Sequence, residues 1–259
     1  MATSKSTALA VVDEFGLSPA SVAELAQAIK EEIGVMGALD LPRTHVPTGT
    51  SPFWPIKATA DDQRPTMEEA LEGVIVLHHP SYAYFASPDP KPGTRPDCSS
   101  RDGITGVTTD GGEVIACATC PHNQFGSGAK ADGSPGRGKA CKNAHMLYMM
   151  REGELLPLMV KIPPTGVRPL KSYLQGLLLP KNRANPMRRP YEVVTRIMLN
   201  PVANVDGTAY LVPAFEAIGA LPAETAAALK RYGESFVGVE PVPDGIPGED
   251  LDADAADVF

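Results

Sequence analysis

The chain has 259 residues, a net charge of −8, and the apolar and charged content of a soluble globular protein. No apolar run approaches the ~18 residues of a membrane-spanning helix, and no basic stretch followed by an apolar core opens the chain, so neither a membrane partner nor a secretory signal is expected. The charge is uneven: residues 1–90 carry 5 basic and 12 acidic side chains, residues 91–200 carry 16 and 8, and residues 201–259 carry 2 and 11. A basic middle between acidic ends keeps a polyanionic partner open despite the negative total.

Taken in chain order, Ser18-Pro19 is an N-cap and first-turn pair, and Val22, Leu25, Ile29 and Ile33 follow at helical spacing. Residues 40–66 form a Pro/Thr-rich connection with a short extended piece at Phe53–Ile56. Gly73–His79 reads as a strand, and Tyr82–Ala86 as a second extended run. The Gly- and Pro-rich cysteine region follows. Met146–Met150 and Leu155–Ile162 flank Arg151-Glu152-Gly153-Glu154 as a hairpin. Leu170, Tyr173, Leu174, Leu177 and Leu178 predict a helix, Tyr191–Leu199 and Tyr210–Phe215 a second hairpin, and Pro222–Phe236 an amphipathic helix.

This order predicts a mainly β (α+β) chain, with five strands and a helix between the third and fourth. That is the order of the OB-fold, a small five-stranded Greek-key barrel that binds oligonucleotides; a generic mixed α+β domain fits the same pattern. The expected organisation is an N-terminal helix and extended segment over 1–70, an OB-like domain over 71–237 with flanking helices, and an acidic tail over 238–259. An insertion carrying all four cysteines, the donor set of a zinc ribbon, is expected at 96–143, between the first and second strands.

All four cysteines fall within 44 residues, as Cys98-x18-Cys117-x2-Cys120-x20-Cys141. Four thiolates with one x2 knuckle are the donor set of a closed, structural zinc site. Two disulfides are the competing reading, and a reducing compartment favours metal. His122 and His145 are close enough in sequence to replace one cysteine. The Gly-Arg-Gly-Lys run at 136–139 lacks the spacing of a nucleotide-binding P-loop.

The same region is basic. Lys130, Arg137, Lys139 and Lys142 surround Cys141, and Arg168, Lys171, Arg188, Arg189 and Arg196 follow, with Lys181 and Arg183 between. Such charges bind phosphate in a salt-dependent way, and single strands also need aromatic platforms. Phe125, in a polar Gly-rich loop, is the best placed; Tyr148 lies on a strand and faces either core or ligand, while Tyr173 and Tyr191 read as core. From Glu240 onward seven acids and no base precede the final Phe259. Asp252, Asp254, Asp257 and Phe259 are candidates for docking in a basic-rimmed pocket of a partner.

An acidic C-terminus ending in Phe resembles that of bacterial single-stranded-DNA-binding proteins and the analogous replication proteins of podophages. A four-cysteine ribbon inside an OB-fold resembles the large subunit of replication protein A and zinc-containing phage helix-destabilising proteins. The run from Pro96-Asp97-Cys98 through Cys117-Ala118-Thr119-Cys120-Pro121 to Cys141-Lys142-Asn143 is similar to a group of phage-encoded proteins. The resemblance implies a non-enzymatic protein of phage DNA replication or recombination in the bacterial cytoplasm. It would bind single-stranded DNA or RNA, hold structural zinc, and recruit replication proteins through the tail. Two other readings are a zinc-ribbon adaptor for a polymerase, and a metal-dependent nucleic-acid enzyme using His78 or His79 with Glu68, Glu69 or Asp102. Adjacent histidines on a strand point to opposite faces, which counts against the last.

Overall fold

The computed structural model describes residues 41–59, 62–87, 94–129, 134–179, 186–204 and 207–237, together with Glu24, Gln27, Ala28 and Glu31. Those last four positions are helical and exposed, as the spacing over 18–33 predicts; the rest of that segment, Lys130 and the acidic tail lie outside the described residues.

The long strands are β4 (Ala70–Tyr84), β8 (Lys142–Met150), β9 (Leu158–Ile162), β10 (Val193–Ala203) and β11 (Ala209–Ala220). Short strands precede them, β1 (Arg43–His45), β2 (Trp54–Ile56) and β3 (Thr66–Glu68), and three more, β5 (Cys98–Ser100), β6 (Thr105–Thr108) and β7 (Val114–Ala116), lie between β4 and β8. The helices are α1 (Pro164–Leu178), between β9 and β10, and α2 (Ala223–Ser235), after β11.

The two extended runs expected at 73–79 and 82–86 merge into one strand. Pro80 does not break β4, because the ladder to β8 continues past it with Pro80 opposite His145. A register shift between Ile75 and Leu77 marks a bulge, which bends a strand and increases its twist. The bend lets β4 serve three neighbours: Ala70–Gly73 pairs with β10, Val74–Ala83 with β8, and Tyr82–Tyr84 with β5.

Among the described residues the result is mainly β: one large mixed sheet and a separate β2–β3 ladder, with α1 and α2 packed against the strands. Its five long strands follow one another as β11-β10-β4-β8-β9. The expected barrel is not closed. Among the described residues no ladder joins β9 to β11; the second edge of β9 pairs instead in parallel with β1, Arg43 opposite Met159.

Two cores explain why β8 is apolar at every position from 146 to 150. Leu147 and Met149 face Trp54, Leu71, Ile75, Val160 and Ile162, beneath Leu170 of α1. Tyr148 and Met150 face the other way, onto Leu229, Tyr232 and Phe236 of the α2 region. A strand buried on both faces reads as a continuous apolar run rather than an alternating one. Leu41, Val46 and Trp54, from the segment assigned by sequence to the N-terminal region, belong to these cores. The Trp54 indole N–H donates to the carbonyl of Ile197 at 3.2 Å, so the Pro-rich connection is stitched onto β10.

Candidate functional site

The insertion between β4 and β8 begins as an antiparallel meander, β5-β6-β7, built on the far end of β4. The Asp102 carboxylate shapes its first turn, accepting the backbone N–H groups of Ile104 and Thr105 at 2.7 Å each and the Ser100 hydroxyl at 3.0 Å. Those two backbone donors hold its carboxyl below the usual range. After β7 the chain turns through Cys117–Cys120, with the Thr119 N–H donating to the Ala116 carbonyl at 3.2 Å. Side-chain amides fix this knuckle: Asn123 donates to the Cys117 carbonyl at 2.8 Å, and Gln124 to the carbonyls of Ala118 and Cys120 at 3.0 and 3.1 Å. Cys141 is tied to the same turn by its N–H, 2.8 Å from the His122 carbonyl.

Three separate pieces of chain therefore deliver the four cysteines to one recess of about 180 Å³, which Tyr82, Tyr84, His122 and Asn123 also line. All four are free thiols. Burial pushes the Cys141 thiol up to about 12, and the other three cysteines add to the shift while Lys139 opposes it. Burial, then Cys120 and Cys117, raises Cys98. Among the described residues no set of three or more His, Cys, Asp or Glu side chains forms a metal-holding group. The four sulfurs do share one recess.

Beyond the knuckle, Gly126 adopts φ +84°, and its N–H donates to the Arg137 carbonyl at 2.8 Å. Gly128 and Gly136 continue the pairing, so the Gly-rich loop returns on itself. This holds Phe125 out at 65 % exposure, with the Lys139 ammonium 4.9 Å from its ring centroid. The same ammonium lies 3.3 Å from the Asn123 side-chain oxygen. Arg137 is exposed beside them and Lys142 is half-buried at the start of β8.

The remaining sequence candidates are divided. Arg168 and Lys171 are exposed on α1; burial, then His78 and His79, hold the His145 pKa down, with Lys171 adding a smaller contribution. Arg189 is exposed, and Arg188 is half-buried with its Nε shielded and unbonded. Arg196 forms an exposed ion pair with Glu72 at 2.7 Å, directly opposite it across β10 and β4. Tyr148 is 1 % exposed and packs near Phe236, so it belongs to the core and offers no ring face to a ligand. Lys130, Asp252, Asp254, Asp257 and Phe259 lie outside the described residues.

Of the residues considered for a nuclease site, three have structural partners. Glu68 is held by the Arg151 guanidinium through two 2.9 Å bonds, Asp102 caps its turn, and His78 bonds to His145 at 3.1 Å. Tyr84 stacks on His122 with ring centroids 3.9 Å apart, an arrangement that sequence reasoning missed. The alternation of Tyr82 and Tyr84 on one strand was its signal. His145 is withdrawn from the cysteines by its bond to His78, whereas His122 lines their recess.

Compared with protein-family models, curated proteins and solved structures, the chain matches none.

Proposed function

We propose that this chain binds single-stranded nucleic acid without catalysing a reaction, on an OB-like open barrel whose inserted ribbon is organised by structural zinc. The observation that carries the reading is Phe125. A ring 65 % exposed on a glycine-pinned loop, with a lysine ammonium against it and Arg137 alongside, has the makings of a base-stacking platform with phosphate contacts. Lys142 on β8 and Lys171 near His145 extend positive charge from the ribbon towards α1.

The strand sequence β11-β10-β4-β8-β9, with α1 between the third and fourth strands in chain order, supports an OB-like assignment. Four thiols in one recess, none in a disulfide, suit a soft tetrahedral ion. Such an ion would be held by Cys98, Cys117, Cys120 and Cys141, and would supply the charge that lets these thiols ionise. With four protein ligands it has no open position for a substrate. The acidic tail is assigned to recruiting replication or recombination proteins. The wider assignment is to a phage-type replication protein working in a bacterial cytoplasm.

A salt titration of fluorescent oligonucleotide binding tests this, comparing single with double strands. Preference for single strands with a steep salt slope is expected. Phe125→Ala should cost about 1–3 kcal/mol of affinity, as for other stacked bases. Lys139→Ala should lower the slope of log K against log salt by about 0.7. Indifference to single strands at low salt sinks the reading.

A further inference from the structure

The insertion between β4 and β8 has no apolar core of its own. Among the described residues neither hydrophobic core includes a position from 78 to 145. Ile104, Val107, Val114 and Phe125 are all exposed. A segment without buried apolar contacts opens at low free-energy cost, so its geometry rests on its polar joints.

One side chain joins three parts of this region. Asn123 is half-buried and uses both ends of its amide. Its Nδ2 donates to the Cys117 carbonyl at 2.8 Å and so grips the knuckle. Its Oδ1 accepts from the Lys139 ammonium at 3.3 Å, the same ammonium that lies 4.9 Å from the Phe125 ring centroid. The Oδ1 also accepts from the Asn143 amide at 2.9 Å, and Asn143 stands opposite Tyr82 in the β4–β8 ladder. Knuckle, platform cation and sheet therefore meet at one residue. Gln124 provides the contrast. Its amide donates to the Ala118 and Cys120 carbonyls of the same knuckle, but among the described residues it bonds to neither Lys139 nor β8. A lysine ammonium rides on a flexible four-carbon stem, so holding it at Oδ1 orders it before a strand arrives.

We propose that Asn123 is a positioning residue that couples the cysteine knuckle to the Phe125–Lys139 platform, so that zinc and a single strand each strengthen the other's binding. The coupling rests on the function proposed above and adds a linkage between its two ligands. The insertion is the two-state element. With the knuckle closed, the Cys117 carbonyl fixes the Asn123 amide, whose oxygen holds Lys139 over Phe125. With the knuckle open, the amide loses that anchor and the ammonium is released. Linkage is reciprocal, so each ligand must raise the other's affinity by the same factor.

Fluorescence anisotropy of a labelled single-stranded DNA oligonucleotide on the full-length protein, with zinc in excess and after chelation, reads one side of the linkage. Zinc competition with a chromogenic chelator, with and without the oligonucleotide, reads the other. In the wild type both should show the same gain, about fivefold or more. Asn123→Leu keeps roughly the side-chain volume and removes the hydrogen bonds. It should weaken zinc about tenfold. With zinc saturating, it should still bind the oligonucleotide about three- to tenfold more weakly than wild type. A residue that only stabilised the insertion would be rescued under that condition. Gln124→Ala should weaken zinc alone. In a Lys139→Ala background, Asn123→Leu should cost no further oligonucleotide affinity. Circular dichroism at saturating zinc reports folding, and Asn123→Ser takes the place of the leucine variant if that one does not fold. Full oligonucleotide affinity of Asn123→Leu at saturating zinc overturns the proposal, as does a loss that adds to that of Lys139→Ala. Zinc and oligonucleotide that bind the wild type without affecting each other overturn the coupling alone. A wild type that binds no zinc or no single strand removes the proposed function, and the coupling with it.

Discussion

Gly106 faces the crowded side of its hairpin. A Cβ there would lie 3.0 Å from the Cys98 sulfur and 3.6 Å from that of Cys117. Gly111, in the turn of the same hairpin, has nothing within 4 Å. If the cysteines hold the proposed zinc, Gly106→Ala should displace Cys98 and weaken its binding by about tenfold or more, while Gly111→Ala leaves it unchanged; competition with a chromogenic chelator reads the difference. The histidine pair gives a second residue-scale expectation. Burial, then His78, His79 and Lys171, lowers the pKa of His145 from its ordinary 6.5 to about 3, and burial followed by His79 lowers that of His78. With the folded values depressed, this contribution to stability is complete above about pH 6.5 and is lost as pH falls towards 3. His145→Gln should flatten the stability profile across that window relative to wild type, as urea unfolding at stepped pH would show. A profile parallel to that of wild type would contradict the assignment.

At the scale of elements, α2 closes the second core through a glycine. A Cβ on Gly233 would lie 2.3 Å from the Val76 carbonyl oxygen, at the bulge of β4. Gly233→Ala must push the helix off the strand, at a cost of about 1–3 kcal/mol. Gly176, exposed on α1 with nothing within 4 Å, should behave oppositely; Gly176→Ala should stabilise by about 0.5–1 kcal/mol through helix propensity. Chemical denaturation of the pair checks both signs. Both helices and both hairpins were legible from spacing alone, because Leu170, Tyr173, Leu174 and Leu177 keep a period that only a helix satisfies. Element lengths were less legible. β4 runs through Pro80, and β10 and β11 extend to Ala203 and from Ala209, because pairing with a neighbour sustains a strand past residues of weak β propensity.

At the scale of the whole molecule, acidic outer segments flank a basic middle, and the last twenty residues carry seven acids and no base. If the chain binds single strands as proposed, removing residues 240–259 should tighten oligonucleotide binding at low salt and leave it nearly unchanged at high salt, where screening suppresses the competition. Equal affinities of both forms at low salt would remove the tail from the binding reaction. By itself the sequence determined the identity and order of the main elements, the grouping of the cysteines and the exposure of Phe125, since each depends on local spacing or on a polar loop with no apolar neighbours. Only the tertiary structure decided which face of β8 each residue takes, burying Tyr148 under α2, and only it paired Arg196 with Glu72 across two strands distant in sequence. It also paired the outer edge of β9 with β1 instead of β11. Such choices depend on which strand lies alongside which, and that is set by long-range packing rather than by any local period.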